Sequence, residues 1–121
     1  MAAPNIVSIA TMYGKTAGLA VPVTATAIVV NAASSGKLLK INSLIISNID
    51  GTAAYNITAD VYKAATTAYR IAYLISVPAN ATLVLLSKES AIYLEENDSL
   101  RLTASTVSKL EAICSYEEIG V

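Results

Sequence analysis

The chain has 121 residues, of which 14% are charged and 55% hydrophobic, with a net charge of −1 and no histidine. This length is typical of a single domain, and the scattered Lys and Arg residues offer no basic stripe for nucleic acid or an anionic membrane. With no histidine and one cysteine, Cys114, the sequence excludes a Cys–His nucleophile, a structural zinc site and an intrachain disulfide. We therefore expect no enzymatic activity, no metal site and no cofactor.

The low charge content predicts an apolar surface. Ordinary globular domains are about 25% charged, so about half of the usual solvating charge is missing. Because a small domain has proportionally more surface than a large one, the shortage should appear at the surface. We expect other protein subunits to cover part of that surface.

The first apolar run covers residues 6–12 and is followed by Gly14 and Lys15. These two residues match the end of a phosphate-binding loop, but position 9, where the loop needs a second glycine, is Ile9. We therefore predict a polar turn at Gly14-Lys15. Residues 1–12 are predicted to form either an extended arm that reaches a neighbour or an edge strand.

The uncharged stretch over residues 16–36 is long enough to suggest a membrane span. It is interrupted by Gly18, Pro22 and several polar residues, which favours strands and a loop over a helix in lipid. We predict a strand over residues 24–30 and no membrane contact.

Two central strands follow, over residues 37–48 and 55–63. Asp50-Gly51 lies between them, and this dipeptide is a strong hairpin signal, because both residues tolerate positive φ. The second strand alternates as a half-buried strand requires. Its predicted inward residues are Ile57, Ala59 and Val61, and its predicted outward residues are Asn56, Thr58, Asp60 and Tyr62.

The remaining strands are predicted over residues 69–77, 82–87, 91–94 and 100–105, with a last strand that begins at residue 110. The inward residues of the final two are predicted to be Leu100, Leu102, Ala104, Leu110, Ala112, Cys114 and Tyr116. With eight to ten short strands and no amphipathic helix, we predict an all-β fold. The chain, residues 1–121, is expected to form one antiparallel β-sandwich or jelly roll.

Tyrosine is the only aromatic residue type, with seven copies. Tyr62 is on the polar face of its strand, and Tyr69 and Tyr73, an even number of residues apart, are predicted to share a face. Outward tyrosines suit protein interfaces, although these tyrosines equally suit a core in which tyrosine replaces phenylalanine. The candidate interface residues are Tyr62, Tyr69, Tyr73, Ile6, Ile9 and Met12.

Several strand–turn phrases in the second half of the chain are distinctive. They cover residues 40–48, 50–52, 75–82, 92–105 and 114–118. Over residues 37–118 the sequence resembles small virion structural proteins of tailed bacteriophages, especially cyanophage-like ones. This resemblance implies a β-sandwich on the virion that has no enzymatic activity, and it supplies no catalytic residues.

The resemblance leads us to expect a capsid decoration (cement) protein. Its partners would be itself, as a homo-oligomer for which a trimer is one option, and the major capsid protein or other virion proteins. It would be assembled in the host cytoplasm and located on the capsid surface. The alternatives are a neck or tail accessory protein that forms a ring, and a carbohydrate-binding module that attaches to a host surface.

Overall fold

The computed structural model describes residues 7–8 and 11–120, and in this part of the chain the fold is all-β. The nine strands are β1 (Thr11–Ala20), β2 (Thr26–Val30), β3 (Lys37–Asn48), β4 (Tyr55–Lys63), β5 (Thr67–Val77), β6 (Thr82–Leu86), β7 (Ile92–Leu94), β8 (Ser99–Ala104) and β9 (Leu110–Gly120). A single 3₁₀ turn, Lys88–Ser90, separates β6 from β7. The predicted β fold is confirmed.

The strands form two antiparallel sheets that pack as a sandwich. Sheet 1 has the order β1-β9-β3-β6, with β7 also paired to β3, and sheet 2 has the order β2-β8-β4-β5. The chain changes sheet at every connection except β4–β5 and β6–β7. If β6 and β7 are counted as one interrupted strand, this is the jelly-roll arrangement, in which the first and last strands lie side by side.

The core lies between the sheets and is built from one face of each strand. Alternation over residues 100–104 of β8 and 110–114 of β9 buries every second residue, because successive side chains of a strand point to opposite faces. The predicted inward residues Leu100, Leu102, Ala104, Leu110, Ala112 and Cys114 are all buried, and Tyr116 packs against the core. The predictions for these strands are therefore confirmed.

The predicted turn at Gly14-Lys15 is wrong. Both residues lie inside β1, which pairs with β9 in continuous register from Thr11 to Ala20. Lys15 satisfies its charge there by donating to the Glu118 carboxylate on β9 at 3.1 Å. A polar residue in this edge strand thus signals a cross-strand ion pair and not the end of the strand.

The predicted hairpin at Asp50-Gly51 is also wrong, because β3 and β4 belong to different sheets. The connection is shaped by the buried amide of Asn48, whose nitrogen donates to the carbonyl oxygens of Ala53 and Val77, both at 2.9 Å. Its oxygen accepts the N–H of Asp50 at 2.9 Å. These hydrogen bonds hold the connection at the end of the sandwich, where the chain passes from sheet 1 to sheet 2.

The hairpin of sheet 2 joins β4 to β5 through Ala64, Ala65 and Thr66, which carry no glycine or asparagine signal. Ala64 and Ala65 have φ values of 52° and 54°. Such left-handed backbone costs an alanine about 1–2 kcal/mol relative to its preferred conformations. Contacts from the neighbouring loop, including the Ala64 N–H to Asp98 bond of 2.8 Å, hold the turn in place.

We expect Ala65→Gly to raise the free energy of unfolding by about 0.5–1 kcal/mol, because glycine adopts positive φ without a steric penalty. Ala27→Gly, in the extended strand β2, is the control and should lower it by a similar amount. Thermal melts of both variants measure the effect. A lowered stability for Ala65→Gly would contradict the strain assigned to this turn.

The expectation of an apolar surface is confirmed for the described residues. Large hydrophobic side chains are exposed on both sheets and both lateral edges. Those more than half exposed are Val7, Met12, Tyr13, Val30, Ile49, Tyr69, Tyr73, Leu74, Val84, Val107 and Ile113. Three of them, Tyr69, Tyr73 and Leu74, lie on the single strand β5.

Candidate interaction surfaces

The three candidate tyrosines occupy two different environments on sheet 2. Tyr69 and Tyr73, on the edge strand β5, are 62% and 60% exposed. Tyr62, on the neighbouring strand β4, is half-buried. The structure therefore leaves two of the three rings available to a partner.

The candidates from the start of the chain lie elsewhere. Met12 is in β1, the edge strand of sheet 1, and its side chain is 52% exposed. Ile6 and Ile9 lie outside the residues that the structure describes. Of the predicted arm or edge strand over residues 1–12, the part from Thr11 onward belongs to an edge strand.

The prediction that Tyr69 and Tyr73 share a face is wrong. Tyr69 pairs with the inward residue Val61, but the register between β4 and β5 shifts at Ile71, which adds one residue to β5. Tyr73 therefore lies on the outer face, where the Arg70 guanidinium sits 4.9 Å from its ring centroid. A bulge reverses the alternation on which the even spacing depended.

Four apolar residues of the edge strand β5 are exposed, and we call this group the β5 ridge: Tyr69, Tyr73, Leu74 and Ile75. Leu74 is 53% exposed and Ile75 42% exposed. Leu74 has φ 51°, and its N–H donates to the Thr58 hydroxyl at 3.1 Å. A bulky residue with positive φ is uncommon. This second irregularity of the strand displays an apolar side chain that regular pairing would orient differently.

Two arginines lie on the outer face of sheet 2, Arg70 on β5 and Arg101 on β8. Arg101 makes a two-point contact with the buried Asp60, at 2.9 and 3.3 Å, and stacks 3.9 Å from the Tyr62 ring centroid. This explains why Tyr62 is half-buried. Arg70, stacked on Tyr73, forms no ion pair with the described residues, so the ridge carries one uncompensated positive charge at its side.

Asp98 organises one end of the sandwich. Its carboxylate accepts hydrogen bonds from Lys63 Nζ at 2.6 Å and from the N–H groups of Ala64 and Glu95 at 2.8 and 3.0 Å. Burial by itself would raise the pKa of Asp98, but these three donors outweigh it and lower the pKa. The group is therefore a charged anchor that joins two loops, the β4–β5 turn and the β7–β8 loop.

Asp50 has a similar structural role at the opposite end of the sandwich. It accepts hydrogen bonds from the Thr52 hydroxyl and N–H at 2.7 and 2.9 Å and from the Tyr55 hydroxyl at 2.7 Å. These donors, with Lys109 at 3.4 Å, hold the pKa of the Asp50 carboxyl well below its usual range. The carboxylates of Asp98 and Asp50 thus both stabilise loops through their hydrogen bonds.

The described residues were also considered as metal ligands and as nucleophiles. They include no group of three or more Cys, Asp or Glu side chains that could hold a metal ion. Burial raises the pKa of the Cys114 thiol to about 12, so it is not a reactive nucleophile. A shallow depression of about 290 Å³ lies over Gly18, Ala20 and Ile113 on sheet 1. Within the described residues, no helical segment has the length and the apolar composition of a membrane span.

The sequence interpretation missed Leu74 and Ile75, which complete the β5 ridge. A signal was present, because the run from Ile71 to Ile75 has apolar residues at both odd and even positions. In a strand with a solvated outer face, that pattern conflicts with simple alternation. It therefore indicates either a bulge or an apolar outer surface, and β5 has both.

Comparisons with known proteins give no further assignment. No protein-family model matches the chain, and no curated protein matches it at a significant level.

Proposed function

We propose that this protein is a non-enzymatic structural subunit of a phage virion, which decorates the assembled capsid and stabilises its shell. The observation that carries the proposal is the β5 ridge, four exposed apolar side chains along one edge strand of a charge-poor sandwich. The resemblance of residues 37–118 to small phage virion proteins is the reason for proposing a virion as the assembly to which the protein binds.

The chemistry of the ridge suits a protein partner. Two tyrosine rings and two aliphatic side chains offer large contact area, and aromatic residues and arginine are enriched in interface cores. Arg70 can pair with a carboxylate of the partner, since no described residue neutralises it. The strained Leu74 indicates that the fold holds an apolar residue outward at a cost to its own stability.

Stabilisation of the shell follows from mass action. A protein that binds the assembled lattice, and not the free major capsid protein, shifts the equilibrium toward the assembled state. A surface formed where neighbouring capsid subunits meet would provide that selectivity. The decoration protein would then be located on the capsid surface and would be added after expansion of the shell.

The alternatives remain distinguishable. A neck or tail accessory ring would use the same surface chemistry, and it differs from a decoration protein by having a few copies per virion in place of hundreds. A carbohydrate-binding module is less well supported, because Tyr69 and Tyr73 lie on opposite faces of β5 and do not form one flat platform.

We expect Leu74→Asn to weaken binding to expanded capsids that lack the protein by at least about tenfold. Burying a leucine side chain contributes about 1.5–3 kcal/mol, and 1.4 kcal/mol corresponds to a factor of ten. Asparagine adopts positive φ readily, so the variant should be at least as heat-stable as the wild type. Co-sedimentation with capsids over a range of protein concentrations measures the affinity.

The matched control is Val30→Asn, because Val30 is 60% exposed on β2, at the opposite edge of sheet 2. It should bind capsids as the wild type does. If Leu74→Asn binds with wild-type affinity while the wild type itself binds, the β5 ridge is not the contact surface. If the wild type does not bind, the decoration role is wrong.

A further inference from the structure

The outer edge of β1 is a second surface with distinct properties. β1 is a ten-residue edge strand that pairs with β9 without any register shift. Its single charged residue, Lys15, is engaged with Glu118 of the same subunit. Long, regular edge strands offer their free backbone groups to other strands, and proteins usually block them.

The other edges of the sandwich are blocked by recognised devices. β5 contains two register shifts, and β2 has only five residues and a shift between Ala27 and Val29. The β6–β7 edge is interrupted by the turn at Lys88–Ser90. Among the described strands, β1 is therefore the only edge that is both long and regular.

The hydrogen-bonding pattern identifies which groups of β1 face outward. The N–H of Val21, which continues the β1 register, donates to the carbonyl oxygen of Leu110 at 2.9 Å. In an antiparallel ladder such bonded pairs occur at every second residue, so the odd-numbered residues of β1 bond to β9. The even-numbered residues, Met12, Gly14, Thr16, Gly18 and Ala20, direct their backbone groups to the open edge.

We infer that β1 pairs antiparallel with β1 of a second copy of this chain, with Thr16 opposite Thr16 on the twofold axis. In this register Gly14 lies opposite Gly18 of the second copy, and Met12 lies opposite Ala20. Every even-numbered residue of β1, whose backbone groups face the open edge, then has a hydrogen-bonded partner in the second copy. The two copies of sheet 1 join into one continuous sheet.

Two features of this register favour a second copy as the occupant. The register keeps Lys15 opposite Ala17 of the second copy, so that the two lysines do not face each other. Tyr13, 57% exposed, comes to lie opposite Leu19 of the second copy, and such aromatic–aliphatic pairs stabilise sheets. A strand that is complementary to itself in this way forms a closed twofold dimer.

The inferred pairing of β1 strands is independent of the proposed role as a capsid decoration protein. β1 and β2 lie at one lateral edge of the sandwich, and β5 and β6 lie at the other. A β1-paired dimer would therefore place its two β5 ridges at opposite ends, where each can contact a different partner. Two linked contacts bind far more tightly than one if the geometry permits both.

The test uses opposite charges at the twofold axis. Thr16→Lys and Thr16→Glu each place like charges against one another, so each variant alone should dimerise at least about tenfold more weakly than the wild type. An equimolar mixture should recover dimers of about wild-type affinity, because each heterodimer pairs Lys with Glu. Light scattering and analytical ultracentrifugation of the wild type, both variants and the mixture measure the effect.

Val84→Lys is the control, since Val84 is exposed on β6, away from the β1 edge. It should dimerise as the wild type does, and thermal melts should show all variants folded. A monomeric wild type at millimolar concentration would overturn the inference, as would an oligomer unaffected by either charge at Thr16. Capsid binding is measured separately, so a failure here leaves the decoration role standing.

Discussion

Replacing Asp98 with asparagine is expected to lower the free energy of unfolding by about 2–3 kcal/mol at neutral pH. The buried carboxylate holds Lys63 and two backbone N–H groups, and an amide keeps its shape but loses the charge that strengthens those bonds. The side-chain NH₂ group of the asparagine would also face the N–H donors that the carboxylate now binds. Chemical denaturation of the variant and the wild type measures the difference.

The difference should depend on pH in one direction. Because the folded state lowers the pKa of Asp98 from its ordinary value of 3.8, its contribution is complete above that value and is lost as the pH falls through the lowered pKa. The two proteins should therefore converge in stability as the pH falls below about 4. A difference that stays constant down to pH 2 would show that Asp98 acts only through its shape.

Glu95→Gln is the matched control for Asp98. Glu95 also pairs with Lys63, at 2.9 Å, but its side chain is 64% exposed. Exposed ion pairs contribute about 0–1 kcal/mol, so the control should be close to wild type. An equal loss in both variants would mean that the Lys63 charge, and not the buried anchor, sets the stability.

Ile46→Ala is expected to lower the free energy of unfolding by about 3–4 kcal/mol, the largest effect of a single substitution considered. Ile46 is fully buried at the centre of sheet 1, between β9 and β6. Removing its side chain loses the transfer free energy and leaves a cavity that close-packed neighbours fill only in part. Equilibrium denaturation in urea measures it.

Ile113→Ala provides the comparison within the same sheet. Ile113 lies beside this position on β9 but points outward and is 52% exposed. The same chemical change should cost less than about 1 kcal/mol there. A larger loss at Ile113 than at Ile46 would contradict the assignment of inner and outer faces.

The sequence predicted the sandwich because alternation is a short-range property. The bounds of β3 and β4 matched, and Ile57 and Ala59 are buried as their spacing indicated. Val61 packs against the core, also as predicted. Each of these assignments needs only the period of two that one buried face imposes on a strand.

The connections were not predictable in the same way. Asp50-Gly51 has the composition of a hairpin turn. The Asn48 amide nevertheless donates to the carbonyl oxygens of Ala53 and Val77, and the chain crosses to the other sheet. The actual hairpin uses Ala64 and Ala65, whose positive φ is imposed by contacts with a loop distant in sequence. Turn propensity is weak compared with such tertiary contacts.

The candidate surface was predicted in part. Tyr69 and Tyr73 are exposed, but bulges in β5 set their faces and add Leu74 and Ile75. Asp60 lies on the outer face, as predicted, but it is buried there beneath Arg101, which the alternation does not indicate. Bulges and ion pairs across strands depend on the partner strand, so one strand's own sequence does not specify them.

We propose that this apolar sandwich acts by binding an assembled protein lattice. The most direct measurement is to add the purified protein to expanded capsids that lack it and to free capsid subunits, and to follow binding and the heat resistance of the shells. We expect saturable binding to the capsids alone, at hundreds of copies per particle, with shells that open at a higher temperature. Absence of binding, or equal affinity for free subunits with no gain in heat resistance, would contradict it.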